Sequence, residues 1–325
     1  MNIKKIRISS AAFLALSATS AAFFPVVSQA LPKCLFISSY HRGYAWSDGV
    51  ERGLRSVLAE RCEVRQFDMD TKRQKSAEYK KHIGEEARDV VQQWQPDVVI
   101  TADDNAAKYV IQPYFKDHNV PFVFSGVNWT AKEYGFPYKN VTGIVEVAPI
   151  KPMLQRADRM VGSEKGAFYL GADTLTEKKN LRRFQQAADD LGMKLHYFLA
   201  SSMADWEKAL ADAQNHSFIV MGSNSGINDW DKDRAMAIAA RYSNKLSTTN
   251  HGWMMPYTML GMTKVPEEHG EWSAAAALAI IDGTKPTDIP IMSNRKWDIW
   301  VNPDLLKSAG LRLPRSLRSK AKRYN

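Results

Sequence analysis

Cysteine is scarce in this sequence, since the 325 residues include only Cys34 and Cys62. No C-x-x-C pair occurs and no histidine stands at metal-ligand spacing from either cysteine, which argues against a thiol redox site or a zinc site. The sequence also lacks four motifs that mark common enzyme classes: GxSxG, the P-loop, GxGxxG and HExxH. From these absences we expect a protein that has no cofactor and no bound metal and is not an enzyme.

Long apolar stretches are equally scarce. The one that could approach a membrane span covers residues 11–27, behind two lysines and an arginine and ahead of Ser28-Gln29-Ala30, which places small residues at the −3 and −1 cleavage positions. This arrangement predicts a cleavable secretory signal peptide over residues 1–30. A membrane anchor is the weaker alternative, because polar residues and Pro25 interrupt the apolar stretch. We therefore expect an exported, periplasmic protein.

A basic face is also missing, although the formal net charge is +9. The signal segment carries three of these positive charges without an acid, and the tail, residues 315–325, carries five more. The body between them is then near +1, so nucleic acid is not an expected partner. We expect the tail to be solvated and partly disordered, and contact with a membrane surface or an acidic partner is the alternative.

The sequence is rich, by contrast, in short apolar runs that alternate with amphipathic segments. Runs such as residues 35–37, 98–100 and 122–124 are continuously apolar, which is typical of strands buried on both faces of a parallel sheet. Apolar residues at helical spacing follow most of these runs. About 295 residues remain after the signal peptide. A single hydrophobic core rarely supports a chain of this length, so we predict an α/β protein with two lobes.

The loop over residues 38–46, SSYHRGYAW, joins the first predicted strand to the first predicted helix. Ligands of open α/β sheets bind at the carboxyl ends of the strands, beside helix N-termini that offer free N–H groups. The concentration of Tyr, His, Trp and Ser in this loop predicts that it forms half of a small-molecule site. An ordinary surface connection is the alternative.

The two cysteines begin the first two predicted strands, Cys34 and Cys62. Neighbouring parallel strands bring their starting residues together, so export to an oxidising compartment predicts a disulfide between them. It would lie at the sheet edge away from the ligand loops. Closing a loop of this length contributes about 3–4 kcal/mol in the chain-entropy description of disulfide stabilisation.

Residues 261–314 combine a Glu268-x-Gly270 opening, an alanine-rich helix, a G-x-x-P-x-x-I-P turn from Gly283 and an end from Asn302 to Leu311. These features resemble the ABC-transporter substrate-binding protein family with the type I periplasmic-binding fold. The segment ISSYHRGYAWSDGVERGL is similar to the branch of that family found near, or fused to, sensor histidine kinases. The resemblance implies two Rossmann-like lobes with parallel sheets, joined by three crossings and closing on a solute.

The same resemblance implies how the chain is divided. The N-terminal lobe comprises residues 31–146 and about 262–288, and the C-terminal lobe comprises residues 147–261 and about 289–314, before the tail. An ABC permease or a sensor histidine kinase is the implied downstream partner. We expect a monomer.

Polar and aromatic residues at the carboxyl ends of the predicted strands are the candidate ligand contacts. Aromatic rings stack on a flat or apolar ligand, and Asp and Asn side chains orient amine, hydroxyl or carboxylate groups. Glu146 lies near the first crossing and is expected either in the cleft or at the hinge. The candidates from the two lobes are Ser39, Tyr40, Trp46, Asp103, Asp104, Asn105, Asn128, Glu146, Asp173, Ser223, Asn224, Asn250 and Trp253.

Several candidates have a structural alternative. Tyr40 and Trp46 are aromatic residues that could serve packing alone. Asp103 or Asp104 could cap the helix that follows, because Asp is a preferred N-cap. Asn224 could belong to a turn between two glycines.

The expected function is capture of a small solute in the cleft and its delivery to a permease. An amino acid is the first candidate, because members of the family bind aromatic or other amino acids and the pair Asp103 and Asp104 would suit a ligand amine. A receptor that senses the solute for a histidine kinase is the alternative. A hydrolytic enzyme that uses the acidic pair with His41 and His251 is the remaining one.

Overall fold

The computed structural model describes residues 30–74, 76–227 and 229–324. The predicted signal peptide, residues 1–30, lies outside this part of the chain except for its last residue. Within the described ranges, no helix combines the length and the apolar character needed to cross a membrane.

The first lobe is built on a sheet of six parallel strands in the order β11-β5-β4-β3-β1-β2. Side chains of β1 alternate between two cores: Cys34 and Phe36 pack on one face, and Leu35 and Ile37 on the other. Burial on both faces explains why this strand is continuously apolar. The strands are β1 (Lys33–Ser38), β2 (Glu63–Asp68), β3 (Val98–Ala102), β4 (Phe122–Asn128), β5 (Val141–Glu146) and β11 (Met292–Ser293).

Helices cover both faces of this sheet. The helices α1 and α9 pack together with glycines at the contact, where a Cβ on Gly53 would stand 2.1 Å from the carbonyl oxygen of Glu267. The second face carries α2 and the helical segment after β3. The helices of this lobe are α1 (Ala45–Leu58), α2 (Ala77–Trp94), α3 (Asp103–Ala106), a π-helical stretch (Ala107–Ile111), α4 (Gln112–Tyr114) and α9 (Pro266–Ile281), with a 3-10 turn at Ala131–Tyr134.

The second lobe contains a sheet of seven strands in the order β13-β12-β10-β9-β8-β6-β7, parallel except that β12 runs antiparallel to β10. Its strands are β6 (Ala167–Ala172), β7 (Leu195–Ala200), β8 (Phe218–Met221), β9 (Leu246–Thr249), β10 (Leu260–Lys264), β12 (Trp297–Val301) and β13 (Lys322–Arg323). Its helices are α5 (Ile150–Val161), α6 (Leu175–Asp190), α7 (Met203–Ala213), α8 (Lys232–Tyr242), α10 (Pro303–Ser308) and α11 (Arg315–Arg318), with a 3-10 turn at Gly252–Tyr257. A further 3-10 turn, Pro286–Asp288, contacts β5 and belongs to the first lobe.

The predicted fold is confirmed: two α/β lobes with mostly parallel sheets are joined by three crossings. The chain leaves the first sheet after β5, returns between β10 and α9, and leaves again between β11 and β12. Sheet pairing differs from the expected division at two points. The end of β10 pairs in the second sheet although residues from 262 were expected in the first lobe, and β11 pairs with β5 although residues from 289 were expected in the second.

The basic tail is folded in its described part, residues 315–324, and the expectation of a partly disordered end was wrong. Arg315–Arg318 form α11, and Lys322–Arg323 form β13, which pairs with β12 at the edge of the second sheet. The physical reason is that Leu317 is buried in the core of the second lobe and anchors this segment. Sequence composition showed the charges of this segment but not its apolar contact with the core.

The predicted disulfide between Cys34 and Cys62 is present, with Cα atoms 5.9 Å apart. Lys33 pairs with Glu63 at the start of β1 and β2, which places the two cysteines side by side at the amino end of the first sheet. The bond therefore lies at the edge opposite to the loops that follow the strands.

Candidate functional site

A cleft of about 360 Å³ lies between the lobes. Its lining comes from segments at or just after the carboxyl ends of β1 to β5 in the first sheet and of β9 and β10 in the second. This is the edge at which open α/β sheets bind their ligands. The lining residues are Tyr40, Tyr44, Trp46, Lys72, Asp103, Asn128, Glu146, Asn250, Gly252, Trp253, Thr263 and Lys264.

Trp46 connects the first loop to the acidic centre of the cleft. Its indole Nε1–H donates a hydrogen bond of 3.0 Å to Oδ1 of Asp103. Behind it, the ring of His269 lies 5.3 Å away and is fully buried, and burial lowers the pKa of this histidine to about 3. A neutral imidazole and a hydrogen bond thus hold the indole in place, which leaves its ring as part of the cleft wall.

Asp103 is the most strained residue of the site. It is 3% exposed, its φ of 69° lies in the left-handed region that side chains other than glycine rarely adopt, and its Oδ2 is buried without a hydrogen-bond partner in the described part of the chain. Burial, and then the charge of Asp104, raise the pKa of Asp103 to about 7. Strain and an unsatisfied carboxylate oxygen in a cleft are features that proteins retain at functional sites.

The backbone of β4 makes room for this carboxyl group. A bulge interrupts the pairing of β4 with β5 between Ser125 and Val127, and Gly126 at the bulge has a φ of 67°. A Cβ at Gly126 would stand 3.0 Å from Oδ1 of Asp103. Glycine is therefore favoured here both by the backbone conformation and by the close approach of Asp103.

Asp104 acts as a support rather than as part of the cleft lining. Its carboxylate accepts a 2.5 Å hydrogen bond from Nδ2 of Asn128 and a 2.7 Å bond from the hydroxyl of Tyr134. These bonds orient the Asn128 amide, which does line the cleft. Neither Asp103 nor Asp104 caps α3 through its side chain, because the N-cap position is Ala102.

Lys264 brings a positive charge from the second lobe to the first. Its Nζ donates to Oε1 of Glu146 at the end of β5 and lies 5.3 Å from the ring centre of Trp46. Burial lowers the pKa of Lys264 to about 8. Glu146 thus faces the cleft and joins the two lobes at once, so the two alternatives expected for it are compatible.

Lys72 supplies a second ammonium group, beside the tyrosines of the loop that follows β1. Nζ of Lys72 lies 4.6 Å from the ring centre of Tyr40 and 5.1 Å from that of Tyr44, and these two rings meet edge to face at 5.2 Å. Burial raises the pKa of Tyr40 well above its usual value, so its hydroxyl stays neutral. The first lobe therefore offers an aromatic wall with a cation beside it.

The second lobe presents Trp253 to the cleft. This side chain is 56% exposed and stacks at 4.5 Å on His251, whose pKa burial lowers to about 4. Next to it, Oδ1 of Asn250 is buried and has no partner among the residues that the structure describes. An exposed ring and an unsatisfied amide oxygen are groups that a ligand can complete.

Three of the predicted residues in the first lobe hold the site together from outside the lining. Ser39 is buried, donates to the carbonyl oxygen of Ala102 and accepts from the N–H of Ala106, so it fixes the start of α3. Asn105 donates to Oγ1 of Thr71. Asp104 is the third, as described above. Their hydroxyl, amide and carboxylate groups are used by the protein itself.

Three predicted residues of the second lobe also lie outside the lining. Asp173 forms an ion pair with Lys178, at 2.5 Å. The backbone N–H of Ser223 donates a hydrogen bond to the carboxylate of buried Glu177. The carbonyl oxygen of Asn224 accepts a turn hydrogen bond from the N–H of Ile227, which is the turn role considered for it. The second lobe instead lines the cleft with residues at or just after the ends of β9 and β10.

The other seven predicted residues line the cleft together: Tyr40, Trp46, Asp103, Asn128, Glu146, Asn250 and Trp253. Sequence reasoning missed Tyr44, Lys72, Gly252, Thr263 and Lys264. Tyr44 belongs to the loop that was singled out, and Lys72 follows the second strand. Thr263 and Lys264 end a strand that was expected in part in the other lobe, so no local signal directed attention to them.

The described ranges contain no group of three or more His, Cys, Asp or Glu side chains placed to hold a metal ion. His41 contacts Asp70 at 3.3 Å, and neither His41 nor His251 belongs to the lining of the cleft. The groups that converge in the cleft are instead aromatic rings, amides, two ammonium groups and the carboxyl groups of Asp103 and Glu146. Such a set can bind a small molecule that carries both charges.

No family model and no curated protein sequence matches this chain. Among solved structures, it is similar to the ligand-free, open structure of a substrate-binding protein with adhesive properties from Clostridium difficile. The TM-score is 0.73 at 12% identity, over 91% of this chain and 99% of that one. This is the type I periplasmic-binding fold.

Two further structures show the same architecture. An ABC domain from Streptococcus pneumonia in complex with L-Trp has a TM-score of 0.56 at 12% identity, over 90% of this chain and 99% of that one. A periplasmic ribose ABC transporter protein from Conexibacter woesei has a TM-score of 0.56 at 13% identity, over 87% and 96%. At such identities the similarity establishes the fold and leaves the ligand open.

Proposed function

We propose that this protein is an exported solute-binding protein that captures a small molecule in the cleft between its lobes. The observation that carries the proposal is the convergence of aromatic rings and opposite charges from both lobes at the carboxyl edges of the two sheets. A ligand held by groups of both lobes favours their closed arrangement, which is how such a protein signals that it is loaded.

The ligand that fits these groups best is an amino acid with an aromatic or other apolar side chain. Its ammonium group would pair with the Asp103 carboxylate, and its carboxylate with Lys264 or Lys72. Its side chain would lie between the Trp46 wall of the first lobe and Trp253 of the second. An L-Trp complex has the same architecture, so this fold can accommodate an aromatic amino acid.

The proposal includes what happens before and after binding. The predicted signal peptide would export the chain to the periplasm, where the protein acts as a monomer and binds its ligand without converting it. Delivery to an ABC permease is the first candidate for the next step, and presentation to a sensor histidine kinase is the second. Genes for a permease and an ATPase beside this one would support transport, whereas a lone kinase gene would support sensing.

A thermal-shift screen of the exported protein against amino acids, nucleobases, sugars and small organic ions tests the ligand class. A tight ligand raises the melting temperature by mass action, and calorimetry then gives its Kd. We expect an aromatic amino acid to bind and Trp46→Ala to weaken it by about tenfold, as loss of one stacked ring does.

Trp94→Ala is the matched control, because Trp94 ends α2 in the same lobe and does not line the cleft. It should leave Kd unchanged. Equal affinity in the wild type and Trp46→Ala would show that the ligand binds elsewhere. Chemical conversion of the bound compound would contradict a pure binding role.

A further inference from the structure

A larger cavity, a groove of about 570 Å³, lies at the far end of the second lobe. Along the pair β10–β12, Lys264 at the cleft is opposite Trp297, whereas Leu260 is opposite Val301, which lines the groove. The five residues of β10 thus separate the two cavities by about 13 Å of strand. The groove is therefore distinct from the proposed ligand site.

The rim of the groove is strongly basic. Lys307 on α10, Arg312 in the following loop, Arg318 on α11 and Arg323 on β13 all line it, and no acidic residue does. None of these four cations forms an ion pair with any residue in the described part of the chain, and all four are exposed. Four cations from different segments of the chain therefore meet at the rim of the groove without an ion-pair partner among the described residues.

The floor of the groove is apolar. Leu306 and Leu313 are 7% and 6% exposed, and Leu311 is partly buried beside them. These side chains are recessed behind the charged rim. A bilayer takes up apolar side chains that protrude, so recessed leucines fit a side chain that projects from a partner instead.

We propose that this basic groove, formed by the three leucines and the four cations, docks an acidic segment of a partner protein. Carboxylates of the segment pair with the cations, and one apolar side chain seats on Leu306, Leu311 and Leu313. Charge complementarity favours a segment with several acids over a single small anion, because one carboxylate neutralises only one or two of four cations. The partner could then hold the protein without obstructing the cleft.

Fluorescence anisotropy with a labelled synthetic hexapeptide tests this proposal on the exported protein. The peptide has a leucine and a phenylalanine at its centre and two acidic residues on each side. We expect binding that weakens as salt is added. In the double variant Arg318→Glu and Arg323→Glu it should weaken at least about tenfold, because two attractive charge pairs become repulsive.

The double variant Lys81→Glu and Lys208→Glu makes the same change in net charge on exposed residues of α2 and α7, and should bind the peptide like the wild type. A second peptide with alanines at its centre should bind more weakly, since it loses the contact with the leucines. Circular dichroism and the melting temperature verify that both variants are folded.

Three results would overturn the proposal. The first is that the wild type binds no peptide. The second is that both double variants lose peptide binding equally, which would mean that binding depends on net charge alone. The third is that the wild type binds phosphatidylglycerol vesicles in preference to the peptide and the double variant Arg318→Glu and Arg323→Glu no longer binds these vesicles, which would assign the groove to a membrane surface. Loss of cleft binding in the screen above would leave all three readouts unchanged.

Discussion

Asp103 combines three features that cost folding free energy: burial of a carboxyl group, an Oδ2 without a partner among the described residues, and a left-handed backbone. In the proposed complex, a ligand ammonium group would offset the first two of these costs, because it supplies the missing partner and favours the charged form. On the proposed function, Asp103 lowers the stability of the free protein and raises its affinity for the ligand.

We predict that Asp103→Asn stabilises the free protein by about 1–3 kcal/mol at pH 8, because it removes a buried charge and Asn tolerates the left-handed region better. The same substitution should abolish binding of an amine ligand. Urea unfolding measures the first effect and calorimetry the second. Asp104→Asn is the control: Asp104 has two donor partners, so its replacement should give no gain.

The pH dependence of that stability has a definite sign. The pKa of Asp103 is about 7 in the folded protein against 3.8 as its ordinary value. Between these values the folded state holds a proton that the unfolded chain releases, so this group makes the free protein more stable as pH falls from 7 to 4. The advantage of Asp103→Asn should therefore shrink over the same interval, and an advantage that grows instead would contradict the assignment.

The affinity for a zwitterionic ligand should peak between about pH 7 and pH 8. Below this window Asp103 takes up a proton, and above it Lys264 loses one, because burial lowers the pKa of the lysine to about 8. Lys264→Arg should retain the loss of affinity at acid pH and move the loss at alkaline pH to higher values, since an arginine stays charged and only the ammonium group of the ligand then titrates. Calorimetry from pH 5.5 to 9.5 measures both; an unchanged loss at alkaline pH would exclude Lys264.

The β4 bulge is the element that adapts the first sheet to this carboxyl group. Gly126 and Gly192 have nearly the same φ, 67° and 65°, but only a Cβ at Gly126 approaches Asp103, while Gly192 has open space around it. The pair therefore separates the cost of backbone strain from the cost of displacing Asp103.

We predict that Gly126→Ala and Gly192→Ala each lower the free energy of unfolding by about 1 kcal/mol, because alanine is strained at positive φ. Only Gly126→Ala should also weaken ligand binding. Chemical unfolding and calorimetry on both variants give the comparison. Normal affinity in Gly126→Ala would mean that the position of Asp103 is unimportant for binding.

At the scale of the whole molecule, the cleft is lined by both lobes, and Glu146 and Lys264 already connect them. A ligand that contacts the Trp46 wall and Trp253 together should shift the protein toward a closed form. Small-angle X-ray scattering should then show a smaller radius of gyration when the ligand is added.

Trp253→Ala should weaken binding by about tenfold and reduce this compaction, because the second lobe loses its contact with the ligand. The melting temperature of the free variant should stay near that of the wild type, since the side chain is 56% exposed. Full compaction at saturating ligand in Trp253→Ala would show that other groups of the second lobe drive closure.

Local sequence patterns, namely continuously apolar strands, helical spacing and the order of elements, predicted the two α/β lobes, the disulfide and the loop after the first strand, whereas the three crossings were implied by the resemblance over residues 261–314. Those patterns also located Asp103, which directly follows β3, and Trp46, which lies at the start of α1 after the loop that follows β1. They could not locate Lys264 or the fold of the tail. Lys264 reaches the cleft because β10 pairs in the second sheet before the chain crosses back, and the tail folds because Leu317 enters a distant core. The positions of these residues depend on contacts between segments that are far apart in the sequence. No local pattern encodes such contacts.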